Sequence, residues 1–178
     1  MTGGTLPLRM SSYRRFPACR SNQIVALGAT WLDRELVARE KTEVAEAGFG
    51  AEVRAALTQR TERLVGFGLA HHRESQVIFA RDLLNTLTQR ELADAAAQIA
   101  DQTGLSYRPV KEGDHVSGIY RRRVDLASDR FALIEDGPQF LLVPWRPIVD
   151  RRLGREVLGV LRGGSMSWEL GRQRGLEI

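Results

Sequence analysis

The sequence is poor in cysteine and has no long apolar run. A single cysteine, Cys19, stands among 178 residues, which excludes an intrachain disulfide framework and leads us to expect a reducing, cytoplasmic setting. No apolar stretch approaches the roughly 20 residues of a membrane-spanning helix, so we expect neither a transmembrane segment nor a membrane partner. With 43% hydrophobic and 27% charged residues, the composition is that of an ordinary globular protein.

Lysine is nearly absent from the chain. Of 26 basic residues, only Lys41 and Lys111 are lysines. Arginine binds phosphate groups better than lysine does, because its planar guanidinium group can donate two hydrogen bonds at once. A GC-rich genome, however, produces the same excess of arginine over lysine without any function. Residues 1–23 hold four arginines and no acid, while the chain as a whole carries a formal charge of +4. Their glycine, proline and serine content predicts a disordered basic arm.

The pattern after the basic arm is helical. Thr30 and Asp33 are spaced as in a capping box and predict a helix over 31–39. The spacing of apolar residues predicts a second helix over 51–65. Residues 69–79 form two short extended runs around a polar tip, which indicates a hairpin. This order of helices and hairpin is typical of a winged helix-turn-helix.

A winged helix would give this half a role in DNA contact. Its second helix enters the major groove and its hairpin lies beside that groove, so Arg60 and Arg63 on the helix and Arg73 on the hairpin are candidate contacts. Glu52 and Glu62 on the same helix would repel phosphate. The alternative is a small helical packing module that does not touch DNA.

The pattern changes from helical to extended near residue 107. Before that point a long helix is predicted over 81–103, with a kink or break at the second capping box, which starts at Thr88. After it, alternation and apolar runs between turns predict strands at 115–125, 131–134, 140–143, 156–161 and 167–169. Pro147 suits the first position of a short helix that ends before Gly154.

These elements predict an α+β fold in which a winged-helix-like helical subdomain precedes a small antiparallel β-barrel. An SH3-like barrel fits the strand count best, and an OB-like barrel is the alternative. The predicted boundaries are 1–23 for the basic arm, 24–80 for the helical subdomain, 81–106 for a connecting helix and 107–178 for the barrel.

The barrel half carries the densest basic cluster. Alternation on a strand predicts that Arg121 and Arg123 share one face while Arg122 points to the other. Arginines beside exposed aromatic rings are how single-strand binders combine phosphate neutralisation with base stacking. The candidate nucleic-acid-binding residues of this half are Arg121, Arg122, Arg123, Trp145, Arg146, Arg151 and Arg152. The alternative is that Trp145 belongs to the core and that the arginines pair with nearby carboxylates.

Residues suited to catalysis are sparse. His71 and His72 are neighbours on a predicted strand and point to opposite faces, so they cannot easily chelate one ion. The sequence has no nucleophile elbow and no phosphate-binding loop. We therefore expect no catalytic residue, no metal ligand and no cofactor, and a binding module rather than an enzyme.

Several longer runs are distinctive. They are GATWLDREL at 28–36, AGFGAEVR at 47–54, GDHVSGIYRR at 113–122, VDLAS at 124–128, RFALIEDG at 130–137 and LVPWRP at 142–147. Together they resemble the C-terminal domain of relaxases from conjugative plasmids and integrative elements of proteobacteria, over about residues 26–176. Such relaxases nick one strand at the transfer origin with an N-terminal nuclease domain, of which this sequence shows no counterpart.

The resemblance implies a place in the DNA-transfer machinery but no catalytic residue. We expect a truncated relaxase, a stand-alone C-terminal module or the product of a degraded gene. The function expected first is a non-catalytic accessory module that binds single-stranded or duplex DNA at a transfer origin. The alternatives are a protein–protein module that docks a relaxosome or secretion partner, and a winged-helix DNA-binding regulator.

Overall fold

The computed structural model describes residues 21–39 and 48–169, and it has a mixed α+β fold with two sheets. The helices are α1 (Ser21–Val25), α2 (Trp31–Leu36), α3 (Phe49–Gly66) and α4 (Leu83–Thr103), with a 3₁₀ helix at Pro147–Arg152. The strands are β1 (Ala70–Arg73), β2 (Gln76–Phe79), β3 (Ser106–Tyr107), β4 (His115–Asp125), β5 (Arg130–Asp136), β6 (Gln139–Pro144), β7 (Glu156–Arg162) and β8 (Ser165–Glu169). The predicted basic arm at 1–23 lies almost wholly outside the described residues.

The helical half is built around α3 and the hairpin of β1 and β2. Val53, Ala56 and Leu64 are buried on one side of α3, as their spacing predicts. The antiparallel hairpin turns at Glu74, which has a φ of 53°. The core of this half also includes residues from the start of α4, and its buried members are Ala29, Leu64, Leu69, Ala70, Leu83 and Leu87.

The larger sheet has six strands in the order β3-β6-β5-β4-β7-β8. All neighbours are antiparallel except β3, which pairs in parallel with β6. The long β4 pairs with β7 up to Ile119 and with β5 from that residue onward, with a bulge between Tyr120 and Arg122. At Gly118, which has a φ of 147°, a Cβ atom would lie 2.4 Å from the backbone oxygen of Glu135. Glycine is therefore required where β4 changes partners.

Both faces of the sheet are covered by apolar contacts. The C-terminal part of α4 packs Leu92, Ala96 and Ile99 on one face, against a cluster that includes Leu133 and Phe140. The other face holds a second cluster, whose buried members are Val116, Tyr120, Ala132, Ile134, Leu141, Val143, Val149, Val157 and Met166. The α4 helix thus contributes to the helical core and to the sheet core.

The residues that the structure describes do not form the expected closed barrel. The outermost strands of the sheet, β3 and β8, are not hydrogen-bonded to each other. Strands β5 and β6 are apolar on both sides because α4 covers one face and the second cluster fills the other, so burial does not require closure. The α+β class is confirmed, as are the 115–125 strand and the short helix that begins at Pro147.

Two helix predictions need correction. The helix that begins at Trp31 ends at Leu36 rather than at residue 39. The α4 helix runs without a break through Thr88, whose hydroxyl donates to the carbonyl oxygen of Leu84 at 2.9 Å. A threonine that bonds back to the preceding turn fits inside a helix, so the capping-box pattern at this position does not start a new one.

Candidate nucleic-acid interface

A groove of about 570 Å³ opens where β4 and β6 end and β5 begins, beside the turn between β7 and β8. Trp145 lies in its wall, immediately after β6, between Pro144 and Pro147. Pro144 is still paired with Phe131, and the backbone N–H of Trp145 donates to the carbonyl oxygen of Arg130 at 2.9 Å. Pro147 then begins the 3₁₀ helix, so the indole lies at the edge of the sheet. The lining residues are Asp125, Leu126, Asp129, Arg130, Pro144, Trp145, Arg146, Pro147, Gly164 and Ser165.

The indole of Trp145 is fixed by one hydrogen bond at its polar edge. Its Nε1–H donates to Oδ1 of Asp150 at 2.8 Å, and the hydroxyl of Tyr120 donates to the same oxygen at 2.9 Å. The pKa of Tyr120 is raised to about 12, first by burial of the phenol and second by its hydrogen bond to Asp150. Tyr120 therefore stays protonated and keeps donating at physiological pH.

Two guanidinium groups lie over the Trp145 ring. The Cζ atoms of Arg123 and Arg130 are 5.2 and 5.7 Å from the ring centroid, within the range of cation–π attraction. Asp125 bridges both arginines, with its carboxylate oxygens 3.1 Å from Nε of Arg123 and 3.5 Å from Nε of Arg130. Trp145 is half-buried against the core of the sheet, and its ring lines the groove together with Arg130.

Arg146 lies at the rim of the same groove and is exposed. Its Nε and Nη2 donate to the hydroxyl oxygen of Ser165 at 3.2 and 2.6 Å. Within the residues that the structure describes, no carboxylate pairs with Arg146, in contrast to Arg123 and Arg130. Most of its donors are therefore free to meet an anionic ligand.

The triple arginine is divided between the two faces of the sheet, and its predicted alternation is wrong. Arg121 donates to both carboxylate oxygens of Glu135, at 2.6 and 2.9 Å, and so lies on the α4 face, to which Leu133 also points. Arg123 lies on the opposite face with Trp145. The bulge between Tyr120 and Arg122 adds one residue to β4 and thereby reverses the side on which the next side chains emerge.

The other predicted residues of this half are scattered. Arg122 on β4 and Arg151 on the 3₁₀ helix are exposed, and no described carboxylate forms an ion pair with either. Arg152 is half-buried at the end of the same helix. Arg121 pairs with Glu135, and this pairing lowers the pKa of the Glu135 carboxyl group. The charge of Arg121 therefore already has a partner within the protein. Of the predicted set, Trp145 and Arg146 line the groove, and Arg123 contacts the ring of Trp145.

Arg60 is wrongly placed on the surface by the winged-helix prediction. Its side chain is 0% exposed, and it donates to the carboxylate of Asp33 and to three backbone carbonyl oxygens. A guanidinium group with all its donors used inside the protein cannot contact a phosphate. Arg63 is exposed and lies over the ring of Phe67 at 5.1 Å, and Arg73 is exposed at the tip of the hairpin.

Arg130, Ser165 and Asp125 join the groove although they were not among the predicted site residues. They come from the ends of three strands, and only the pairing of β5 with β4 and the turn before β8 bring them together. The spacing of these three residues along the sequence does not predict that they lie close together. The neighbouring motif VPWRP, with a tryptophan between two prolines, was the one usable indication of a site at this edge.

Comparisons with known proteins give one family. Among residues 21–39 and 48–169, no group of three or more histidine, cysteine, aspartate or glutamate side chains could hold a metal ion, and no helix is long and apolar enough to cross a membrane. No curated protein and no solved structure matches the chain. A family model described as "Protein of unknown function (DUF3363)" matches residues 15–177. The chain therefore belongs to the DUF3363 family.

Proposed function

We propose that this protein is a non-catalytic accessory module that binds single-stranded DNA in the groove at Trp145, as part of a plasmid conjugation or mobilisation machinery. The observation that carries the proposal is the surface formed by Trp145 with the guanidinium groups of Arg123 and Arg130, next to Arg146, which has no described carboxylate partner. Bases stack on aromatic rings and on guanidinium planes, and arginine donates to phosphate.

The groove favours a single strand over a duplex. A cavity of about 570 Å³ has room for an unstacked base, whereas bases in a duplex are stacked on one another and cannot enter. Charge alone would bind weakly here, because Asp125 and Asp129 line the groove together with Arg130 and Arg146. Stacking and hydrogen bonding to one or two phosphates must therefore supply most of the affinity.

The place in DNA transfer rests on resemblance. The runs at 28–36, 113–122 and 142–147 resemble the C-terminal domain of relaxases, and the last of them contains Trp145 and Arg146. The ligand we propose is accordingly the transferred strand or the region around its transfer origin, with the protein acting in the cytoplasm beside other relaxosome components.

Binding of a fluorescein-labelled, thymidine-rich single strand, followed by anisotropy at low salt, tests the proposal. We expect Arg146→Ala to weaken binding by about tenfold or more, since a hydrogen bond to a charged group, worth about 1.5–3 kcal/mol, is lost. Arg121→Ala is the matched control because it removes the same charge from the opposite face, and it should change the affinity by less than about twofold. Absence of binding, or equal loss in both variants, would overturn the proposal.

A cationic peptide is the second candidate ligand. Asp125 and Asp129 place two carboxylates beside Trp145 and Pro147, an arrangement that suits a basic segment of a relaxosome or secretion partner. An arginine-rich peptide would then bind the groove without using Arg146. Loss of peptide binding in Asp129→Asn, with oligonucleotide binding absent throughout, would favour this docking function.

The winged-helix regulator has weaker support. The order α2, α3 and hairpin agrees with that fold, and Arg63 and Arg73 are exposed. However, Arg60 is buried, and Glu52 and Glu62 are exposed on α3. For the sheet, the change of partner along β4 is the feature that favours an opened SH3-like barrel. Binding of a defined duplex that is weakened by Arg63→Ala would be the sign of a regulator.

A further inference from the structure

A second cavity adjoins the groove at Trp145. It has a volume of about 450 Å³ and is lined by Arg146, Pro147, Ile148, Ser165, Met166 and Trp168. Three of these residues, Arg146, Pro147 and Ser165, also line the first groove. The two cavities are therefore neighbours that share a wall.

The two cavities differ in chemistry. The first is lined by arginine and aspartate side chains around an indole. The second has mostly apolar walls, with Ile148 52% exposed and Trp168 half-buried against the core of the sheet. An isoleucine that keeps half of its surface exposed gains less from folding than a buried one does, so Ile148 is available to contact a ligand's flat apolar surface.

The shared wall is a polar pair. The hydroxyl oxygen of Ser165 accepts from Nε and Nη2 of Arg146, which leaves the hydroxyl hydrogen and three guanidinium hydrogens for a ligand. Because each of these two adjacent side chains has unused hydrogens, the pair can donate to two oxygens of one phosphate group. The pair thus lies between a site with stacking planes and a site with apolar walls.

We propose that the two cavities bind two successive nucleotides of one strand. The phosphodiester that joins them lies on Arg146 and Ser165, one base contacts the guanidinium and indole planes at Trp145, and the next base lies between Ile148 and Trp168. This inference rests on the proposed single-strand binding and specifies its register. It also explains why the polar pair separates two open cavities.

Competition against the labelled single strand tests the register. Thymidine 5′-monophosphate fills one cavity, the dinucleotide thymidylyl-thymidine fills both, and a dinucleotide with one abasic position offers a single base. We expect the full dinucleotide to compete at least about fivefold better than the mononucleotide and the abasic form, the fold-change for the lower end of stacking by one base.

Exposed residues supply the variants, so folding is not at stake. Ile148→Ser should abolish the advantage of the dinucleotide over the mononucleotide and over the abasic form. Leu158→Ser, which removes an exposed leucine that lines neither cavity, should change nothing. If the strand binds but mononucleotide and dinucleotide compete equally, or Ile148→Ser has no effect, the two-nucleotide register is overturned while single-strand binding stands. If no strand binds, both are overturned.

Discussion

The guanidinium group of Arg60 donates to both carboxylate oxygens of Asp33, at 2.8 and 2.9 Å, and neither side chain is exposed. The remaining donors of Arg60 reach the carbonyl oxygens of Ile24, Ala26 and Gly28 at 2.6 to 3.0 Å. One buried side chain on α3 therefore ties together the segment between α1 and α2.

Removal of this link should be costly. We expect Arg60→Met to lower the free energy of unfolding by about 3–5 kcal/mol, because Asp33 and three carbonyl groups would lose their partner while still buried. Urea unfolding followed by circular dichroism measures the change. Arg63→Met, on the exposed side of the same helix, should cost less than about 1 kcal/mol. Equal costs for the two variants would contradict the structural role of Arg60.

A second link joins the helical half to the sheet. Glu91 on α4 accepts from the backbone N–H groups of Ala127 and Ser128, at 2.7 and 2.9 Å, in the turn between β4 and β5. A Cβ atom on Gly28 would lie 1.9 Å from the same carboxylate. Arg34 adds a hydrogen bond from Nη2 to the carbonyl oxygen of Ser128 at 2.8 Å. Gly28 thus leaves room for the carboxylate that holds this turn.

Gly28→Ala should destabilise the protein through Glu91. The added methyl group would push the carboxylate off the turn and leave two backbone donors without it, at a cost of about 1–3 kcal/mol. In a Glu91→Ala background, where the clash is absent, Gly28→Ala should lower the free energy of unfolding by almost nothing. A double-mutant cycle in urea measures this coupling, and simple additivity of the two changes would rule out the mechanism.

The raised pKa of Tyr120 predicts a loss of stability at high pH. Its pKa rises from 10.0 to about 12 because of burial and, second, the hydrogen bond to Asp150. The folded state therefore holds the phenol proton more tightly than the unfolded state does. The corresponding stabilisation is complete below pH 10 and is lost as the pH rises from about 10 to about 12.

Tyr120→Phe is the variant that isolates this effect. It cannot ionise, so its unfolding midpoint in urea should fall less steeply than that of the wild type over this alkaline range, although it loses about 1 kcal/mol at neutral pH with the Asp150 hydrogen bond. Identical slopes for the two proteins would show that Tyr120 does not titrate abnormally.

Much of the fold can be predicted from local sequence patterns. Alternation gave the bounds of the strand His115–Asp125, and the proline pattern predicted the start of the 3₁₀ helix at Pro147. The parallel strand Ser106–Tyr107 was not predicted, since two residues carry no periodicity and its partner β6 begins at Gln139. Local sequence patterns also cannot predict whether the sheet closes. Strands that are apolar on both sides have the same pattern whether they lie in a closed barrel or are covered by α4.

The candidate site was predicted in part. Trp145 and Arg146 stand in a motif that points to an exposed edge, and they do line the groove. The bulge in β4 is invisible in the sequence, yet it decides that Arg123 rather than Arg121 reaches Trp145. The burial of Arg60 depends on a carboxylate 27 residues away, so helical position alone could not reveal it.

The dependence of single-strand affinity on salt tests the central proposal most directly. For contact with two phosphates, the logarithm of the association constant should fall against the logarithm of salt concentration with a slope of about −1.4. Arg146→Ala should reduce the magnitude of that slope by about 0.7, and Arg121→Ala should leave it unchanged. A slope near zero, or one that Arg121→Ala alters as much as Arg146→Ala, would contradict binding in the groove at Trp145.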